Sequence, residues 1–328
     1  MTRFILRRFQ AAIILILLLS AIMFLLQALS PGDPVKAYLG NNSSPAAIAA
    51  ERQRLGLNDP LILQYFRFLG NLFYGSLGIS YRTHRSVMSD LASYLPATAE
   101  LVLVSFFFTL ILGIIFGVSG AFRWPGSVAF RGPLLVVATA PPFLLALGGI
   151  VLFYSQLGWL PASGRGANST GPTGFLLIDS VLEGNPGQWV DAMQHLLLPA
   201  LVLAIAPAIA IGRILRASLQ NTLNADFVRT AESKGLGSFA VFGKHVLRNS
   251  VGPSLSMAGL QLGFMFAGVV VVEQIFSWPG IGNYLANSIP TSDFPAIAGV
   301  TLVLGTIYIV ANAVVDVLQA VADPRLSV

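Results

Sequence analysis

The sequence contains no cysteine. Disulfides, cysteine-ligated metal sites and thiol chemistry are thereby excluded. Charge is scarce as well: only 10% of the 328 residues are Asp, Glu, Lys or Arg, against about 25% in soluble domains. The three histidines, His84, His195 and His245, lie far apart and form no metal-ligand pattern, so no metal is expected. A Gly-x-x-x-x-Gly-Lys-Ser/Thr loop is missing, so the chain is not expected to hydrolyse ATP. A nucleophile elbow is missing too. Ser163, His195 and Asp191 make a triad only on paper, His195 reads as an interfacial residue, and no catalytic residue is assigned.

What is present is apolar: 55% of the residues are hydrophobic and the mean hydropathy is +0.75. Six runs stand out, at 9–29, 97–120, 134–153, 196–216, 251–272 and 295–315. Each has about the 20 residues a helix needs to cross a hydrocarbon core of about 30 Å. Only helices satisfy every backbone group within such a run. The expected fold is therefore an all-α polytopic membrane protein with six transmembrane helices. The first run, preceded by Arg3, Arg7 and Arg8, exceeds a signal-peptide core. A turn at 30–34 follows it rather than a small-x-small cleavage site, so it reads as a retained helix. Pro141-Pro142 and Pro207 are expected to bend the third and fourth spans.

The midsections of all six runs lack ionisable residues; Glu100, Arg213, Arg216 and Asp316 fall toward span ends. An ion-coupled secondary transporter usually places such groups at membrane depth, which counts against that class. A membrane scaffold without transport stays open at this point. With the N-terminus inside, 12 of the 19 Lys and Arg residues fall on the inner side and 7 outside, five of these between Arg52 and Arg85 in one long segment. Both termini are then cytoplasmic. The net charge of +5 reads as sidedness rather than as nucleic-acid affinity. Trp159 and Trp278 fall near the outer interface.

The divisions expected are 1–30 for the N-terminus and first helix, 31–95 for an extracytoplasmic insert, 96–320 for the main membrane domain, and 321–328 for a cytoplasmic tail. The insert carries helices near 46–55 and 61–73. The outer segment 155–194 is rich in Gly, Pro, Ser and Thr, and 273–294 holds a Trp278-Pro279-Gly280 turn and a short helix. A polar cytoplasmic loop, 219–250, lies between the fourth and fifth spans. Asn224 or Asp226 can cap a helix there that runs to about Lys234, with Gly235 in the left-handed position that ends it. Phe227, Val228 and Ala231 form an apolar stripe. The helix either docks in a partner's groove or rests on its own bundle.

Ordered motifs then carry a resemblance along nearly the whole chain. They are Arg7-Arg8, Pro31-Gly32-Asp33-Pro34, Leu55-Gly56-Leu57-Asn58-Asp59-Pro60, Gly75-Ser76-Leu77-Gly78 and Leu95-Pro96-Ala97-Thr98-Ala99-Glu100-Leu101. There follow Gly158-Trp159-Leu160-Pro161-Ala162-Ser163-Gly164, the loop from Asp226 to Leu236, and His245-Val246-Leu247-Arg248-Asn249. Last come Val272-Glu273-Gln274-Ile275-Phe276-Ser277-Trp278-Pro279-Gly280-Ile281-Gly282 and Asp323-Pro324-Arg325. Together they resemble permease subunits of the ABC importers for dipeptides, oligopeptides and nickel, in their peptide branch.

The resemblance implies a type I permease architecture in a bacterial inner membrane, with no cofactor in this chain and ATP and Mg bound by partners. The implied partners are a second permease subunit, one or two cytoplasmic ATPase subunits and a solute-binding protein. The implied ATPase-docking residues are Asp226, Phe227, Val228, Arg229, Thr230, Ala231, Glu232, Ser233, Lys234 and Gly235. Arg229 stands where the family's coupling motif has Glu, and Leu247-Arg248 stands where it has Leu-Pro. Glu273 and Trp278 are candidates for an outer gate or a binding-protein contact; the alternative for Glu273 is a carboxylate tied to the nearby turn. Peptides lead as substrate, with nickel complexes, glutathione and glycosides as alternatives.

Overall fold

The computed structural model describes residues 2–29, 35–36, 44–122, 127–166 and 171–322. Among these the fold is helical, and the one β-bridge joins Ile79 to Ser86. The motifs Pro31-Gly32-Asp33-Pro34 and Asp323-Pro324-Arg325, the turn at 41–43 and Arg123 lie outside the described residues.

The first helix, α1 (Thr2–Leu29), leaves Phe9, Ile14, Leu18 and Leu26 exposed, as a lipid solvent permits. Two short helices follow, α2 (Pro45–Arg54) and α3 (Leu61–Phe73). Ser44 caps α2, accepting from the Ala47 N–H at 3.2 Å. The apolar side of α3 lies on α1: Tyr65 and Phe68 meet Phe24 with ring centroids 5.4 and 6.0 Å apart. Next come α4 (Val87–Ala121), α5 (Ser127–Val137) and α6 (Pro142–Gly149), the last extended by a π-helical turn over Ile150–Gln156. A short outer helix, α7 (Leu176–Leu182), precedes the long α8 (Pro186–Leu223). The polar loop holds α9 (Asp226–Ser233). From α10 (Ser238–Val241), a π turn over Phe242–Leu247 leads directly into α11 (Arg248–Ile275). The chain closes with α12 (Ile281–Ser288) and α13 (Phe294–Ala322).

Among the described residues five helices are long and apolar enough to cross a membrane, and they match five of the six expected spans. The expected third span, 134–153, is instead broken: Arg131–Val137 and Pro142–Gln156 meet at 114°. Two prolines in sequence explain the break. Pro141 has no N–H to donate, and Pro142 forces its predecessor out of helical geometry, holding Pro141 at ψ 143°. Pro199 and Pro207 interrupt nothing of that kind, and α8 runs through both for 38 residues.

Helix α8 is the axle. In its most apolar window 61% of residues are buried, against 11% for α1. Its closest neighbour is α4, and small residues permit the approach. Thr109, Gly113 and Gly117 recur every fourth position on α4, facing Ala204, Ala208 and Gly212 on α8. A Cβ on Gly212 would stand 2.8 Å from the Gly113 carbonyl oxygen, and one on Gly117 would stand 3.0 Å from that of Gly212. Close backbone approach is how helices gain packing energy where lipid supplies no hydrophobic drive.

Candidate functional site

At one end of the bundle, α9 is anchored by half of its expected stripe. Val228 and Ala231 are buried in a cluster with Leu215 and Leu219 of α8, Val241 of α10 and Val246 of the π turn. Val118 and Ala121 of α4 pack against the same cluster. Phe227 points the other way and is 45% exposed. Asp226, Arg229, Thr230, Glu232, Ser233, Lys234 and Gly235 are exposed too. The Thr230 and Ser233 hydroxyls donate to carbonyls one turn back, at 2.9 Å each. Sequence spacing could not divide the stripe in this way, because the inward face is chosen by contacts with α8.

The ends of α9 follow local chemistry. Its N-cap is Ala225, without a side-chain hydrogen bond, rather than Asn224 or Asp226; Asp226 sits in the first turn, where its charge suits the helix dipole. Gly235 has φ +79°. Its N–H donates to Glu232 O at 2.9 Å, and the Leu236 N–H reaches Ala231 O at 3.3 Å, the paired bonds of a Schellman stop. Beside it, the buried Ser250 hydroxyl lies 2.9 Å from Thr222 Oγ1 and donates to Val246 O at 2.8 Å. That clasp ties the end of α8 to the start of α11.

At the opposite end, five carboxylates are buried among the described residues: Asp90, Glu100, Asp179, Glu273 and Asp293. Burying a charge is costly unless it is paired or hydrogen-bonded: all five accept hydrogen bonds, and Asp90 and Glu100 are ion-paired as well, with Arg85 and Arg165. Glu273 caps α12. It accepts from Thr98 Oγ1 at 2.5 Å and from the Asn283 N–H at 3.0 Å, and the Gly282 N–H donates to it as well. Ile281 N–H donates to Thr98 Oγ1 at 2.8 Å. Side chains from α4 and α11 thus satisfy the free donors of the α12 first turn. Gly280 is required by this approach, since a Cβ there would stand 2.1 Å from Glu273 Oε1.

Trp278 is fully buried at this end, and its indole N–H donates to Ala97 O at 2.9 Å. Trp159 is 65% exposed. Neither Glu273 nor Trp278 is presented at a surface in this conformation.

Glu100, which composition placed only near a span end, holds Arg165 of the outer loop. The guanidinium reaches Glu100 Oε2 at 2.5 and 3.1 Å, donates to Gly174 O at 2.6 Å, and lies 5.9 Å from the Trp278 ring centre. Glu100 Oε1 meanwhile accepts the Leu177 N–H at 2.8 Å, at the start of α7. Asp90 accepts from Thr83 Oγ1 at 2.5 Å and Tyr284 OH at 3.0 Å. Asp293 receives Ser80 Oγ and, at 3.2 Å, the Arg82 N–H. Apart from Thr83–Asp90, seven residues apart, these pairings join residues distant in sequence and had no local signal. The Gly113-x-x-x-Gly117 seam did have one, the small-x-x-x-small pattern.

The paper triad does not assemble. His195 Nδ1 lies 2.9 Å from Asp191 O and 3.4 Å from Asp191 Oδ1, one turn away on α8. No hydrogen bond joins Ser163 to His195 among the described residues. No group of three or more His, Asp or Glu side chains suited to a metal occurs among them either.

Comparison with known proteins gives the same picture from outside. The family described as "Binding-protein-dependent transport system inner membrane component" matches residues 85–328, and its N-terminal companion matches residues 1–102. The chain is 38% identical to the probable D,D-dipeptide transport system permease protein of Escherichia coli (strain K12), over 93% of this chain and 92% of that one. It is 39% identical to the di/tripeptide transport system permease protein of Pseudomonas aeruginosa (strain UCBPP-PA14), over 99% of each. A dipeptide transport system permease protein of Alkalihalophilus pseudofirmus is 36% identical over 99% of each chain.

Proposed function

The chain belongs to the family of binding-protein-dependent transport system inner membrane components, and from that membership we propose that it is one permease subunit of an ATP-driven importer of short peptides. The relatives named for dipeptide and di/tripeptide transport match it end to end, which supports peptides over nickel, glutathione or glycosides. A second permease completes the path, ATPase subunits bind on the cytoplasmic side with their ATP and Mg, and a solute-binding protein delivers the cargo outside. Both termini face the cytoplasm. Divisions at 31–95 and 96–320 follow, with the coupling loop at 219–250.

The observation that carries the mechanism is the two-sidedness of α9. Its inner face is locked into α8 through Val228 and Ala231, while Phe227, Arg229 and Glu232 remain outward. A partner that grips the outward face moves α8 rather than a loose loop. Helix α8 is seamed to α4, and α4 is pinned through Thr98 to Glu273 and α12. A displacement at the ATPase side therefore travels as rigid-body motion to the outer end. Glu273 and Trp278 act in this reading as braces of the outer gate rather than as contacts for the binding protein.

The test is reconstitution of the purified complex in proteoliposomes with its binding protein. Dipeptide uptake that needs ATP, and ATPase activity stimulated by the peptide-loaded binding protein, are expected. Uptake that survives ATP depletion but stops on collapse of an ion gradient would replace this reading with secondary transport. A complex that shows neither uptake nor stimulated ATPase activity would favour a scaffold.

A further inference from the structure

Two arginines at the α9 end of the bundle lack a counter-charge among the described residues. Arg131 of α5 and Arg216 of α8 both cross over Gly120 of α4. A Cβ on that glycine would stand 2.9 Å from Arg131 Cζ and 2.9 Å from Arg216 Cδ. The Nε of each is buried without a hydrogen-bond partner. Among the described residues neither guanidinium forms an ion pair. Each cation also repels the other, and arginine does not escape by losing its proton.

Two features of the chain offset part of this charge. Arg131 lies over the Phe116 ring, 4.9 Å from its centre. The C-terminus of α4, at Ala121, offers about half a negative charge. Two whole positive charges exceed both. The surroundings indicate what supplies the rest. Phe122, at the end of α4, is 42% exposed, and Val128 and Val136 of α5 are 78% and 70% exposed. An occupant that meets half-buried cations and an exposed apolar rim together carries an anionic head on an apolar body.

We propose that Arg131 and Arg216 form a binding site for the phosphate of an anionic phospholipid headgroup, wedged between α4, α5 and α8 at the end that carries α9. The position gives the site a consequence. The lipid phosphate would neutralise the pair beside the Leu215–Val228 cluster that seats α9, so headgroup charge would bear on how firmly the docking helix is held. The inference rests on the membrane placement of the bundle and not on peptides being the substrate.

The test uses the complete complex purified in mild detergent, with native mass spectrometry to count retained phospholipids after exposure to mixed phosphatidylglycerol and phosphatidylcholine. A cation beside an anionic surface favours it by about fivefold, so the pair predicts a preference for phosphatidylglycerol of about 25-fold. R131Q/R216Q loses that preference and R131K/R216K keeps most of it. Should the double variant fail to assemble, R131Q and R216Q singly are each expected to lose about fivefold. Undiminished phosphatidylglycerol retention in the variants would overturn the proposal. Equal thermal stabilisation by inorganic phosphate alone would overturn it in favour of a soluble anion. Loss of the second permease from R131Q/R216Q at an unchanged lipid count would overturn it in favour of a subunit contact.

Discussion

The Thr98 hydroxyl stands between Glu273 and the first turn of α12, donating to Glu273 Oε1 at 2.5 Å while accepting the Ile281 N–H at 2.8 Å. One buried oxygen thus joins three helices. Thr98→Val keeps the shape and removes both bonds, leaving a carboxylate oxygen and an N–H short of partners. The expected loss is about 3 kcal/mol, seen as a lower unfolding midpoint of the purified complex. Thr98→Ser keeps the hydroxyl and is expected to lose about 1 kcal/mol for one methyl. Equal midpoints for the two variants would rule out the bridging role.

The α4–α8 seam makes a sharper steric prediction. At Gly212 the obstacle is the Gly113 backbone oxygen, 2.8 Å from a new Cβ, and no rotamer change moves a backbone. Gly212→Val must push the helices apart. It is expected to lower stability by about 3 kcal/mol through overpacking and to reduce uptake with it. Gly148→Ala of α6 is the control, with nothing within 4 Å of its Cβ; it is expected to be neutral or stabilising by up to about 1 kcal/mol. A Gly212→Val complex with unchanged melting would show that the helices are not seamed this closely.

Membrane spans were legible because composition alone dictates them: an uncharged run of about 20 residues has few alternatives. The third span was not fully legible, since its apolar run continues across the break. Pro141-Pro142 signals a bend but not its 114° size, which packing of α6 on α8 and α11 sets. In the docking loop, Gly235 marked the end of α9 because a left-handed stop is a local matter. The side on which Val228 and Ala231 face α8 was not legible, since Phe227 continues the same stripe in sequence. Least legible were the buried acids. Glu100 meets Arg165 across 65 residues, a pairing that no periodicity encodes.

That Glu100–Arg165 pair predicts non-additive energetics. Arg165→Met strands a carboxylate that is 3% exposed, and is expected to cost about 3–5 kcal/mol. Glu100→Gln with Arg165→Met removes both charges and is expected to cost less than Arg165→Met alone. Chemical denaturation of the four proteins completes the cycle. A double variant worse than Arg165→Met would mean that the Glu100 carboxylate is held favourably without its cation, by the Leu177 N–H, and is not stranded.

Tyr284 gives the pH prediction. Its phenol is pushed up to about 12, by burial first, with the neighbouring Asp90 and Asp293 charges raising it further against a lowering contact from Ser80. A raised pKa stabilises the fold fully below the unfolded value of about 10 and loses that contribution as pH rises toward 12. The stability advantage of the wild type over Tyr284→Phe is therefore expected to be constant from pH 7 to 9 and to shrink between pH 10 and 12. Thermal unfolding across that range reads it. An advantage that grows with alkalinity would invert the sign and remove the argument.

Gly235 separates coupling from folding. Nothing lies within 4 Å of a Cβ placed there, so crowding is not the obstacle; φ +79° is. A β-branched residue resists that conformation at roughly 1–2 kcal/mol. Gly235→Val would relieve the strain by opening the two bonds that stop α9, to Glu232 O and Ala231 O. The membrane helices do not depend on those bonds, so insertion and assembly are expected to stay normal. What changes is the register of Phe227 and Arg229 against the ATPase, so ATP hydrolysis is expected to continue while uptake falls. Gly235→Asn, which tolerates the left-handed region, is expected to retain most of the uptake. Measured side by side in proteoliposomes, normal uptake by Gly235→Val would remove α9 geometry from the coupling route. Equal failure of both variants would shift the requirement from backbone conformation to contact with the glycine itself.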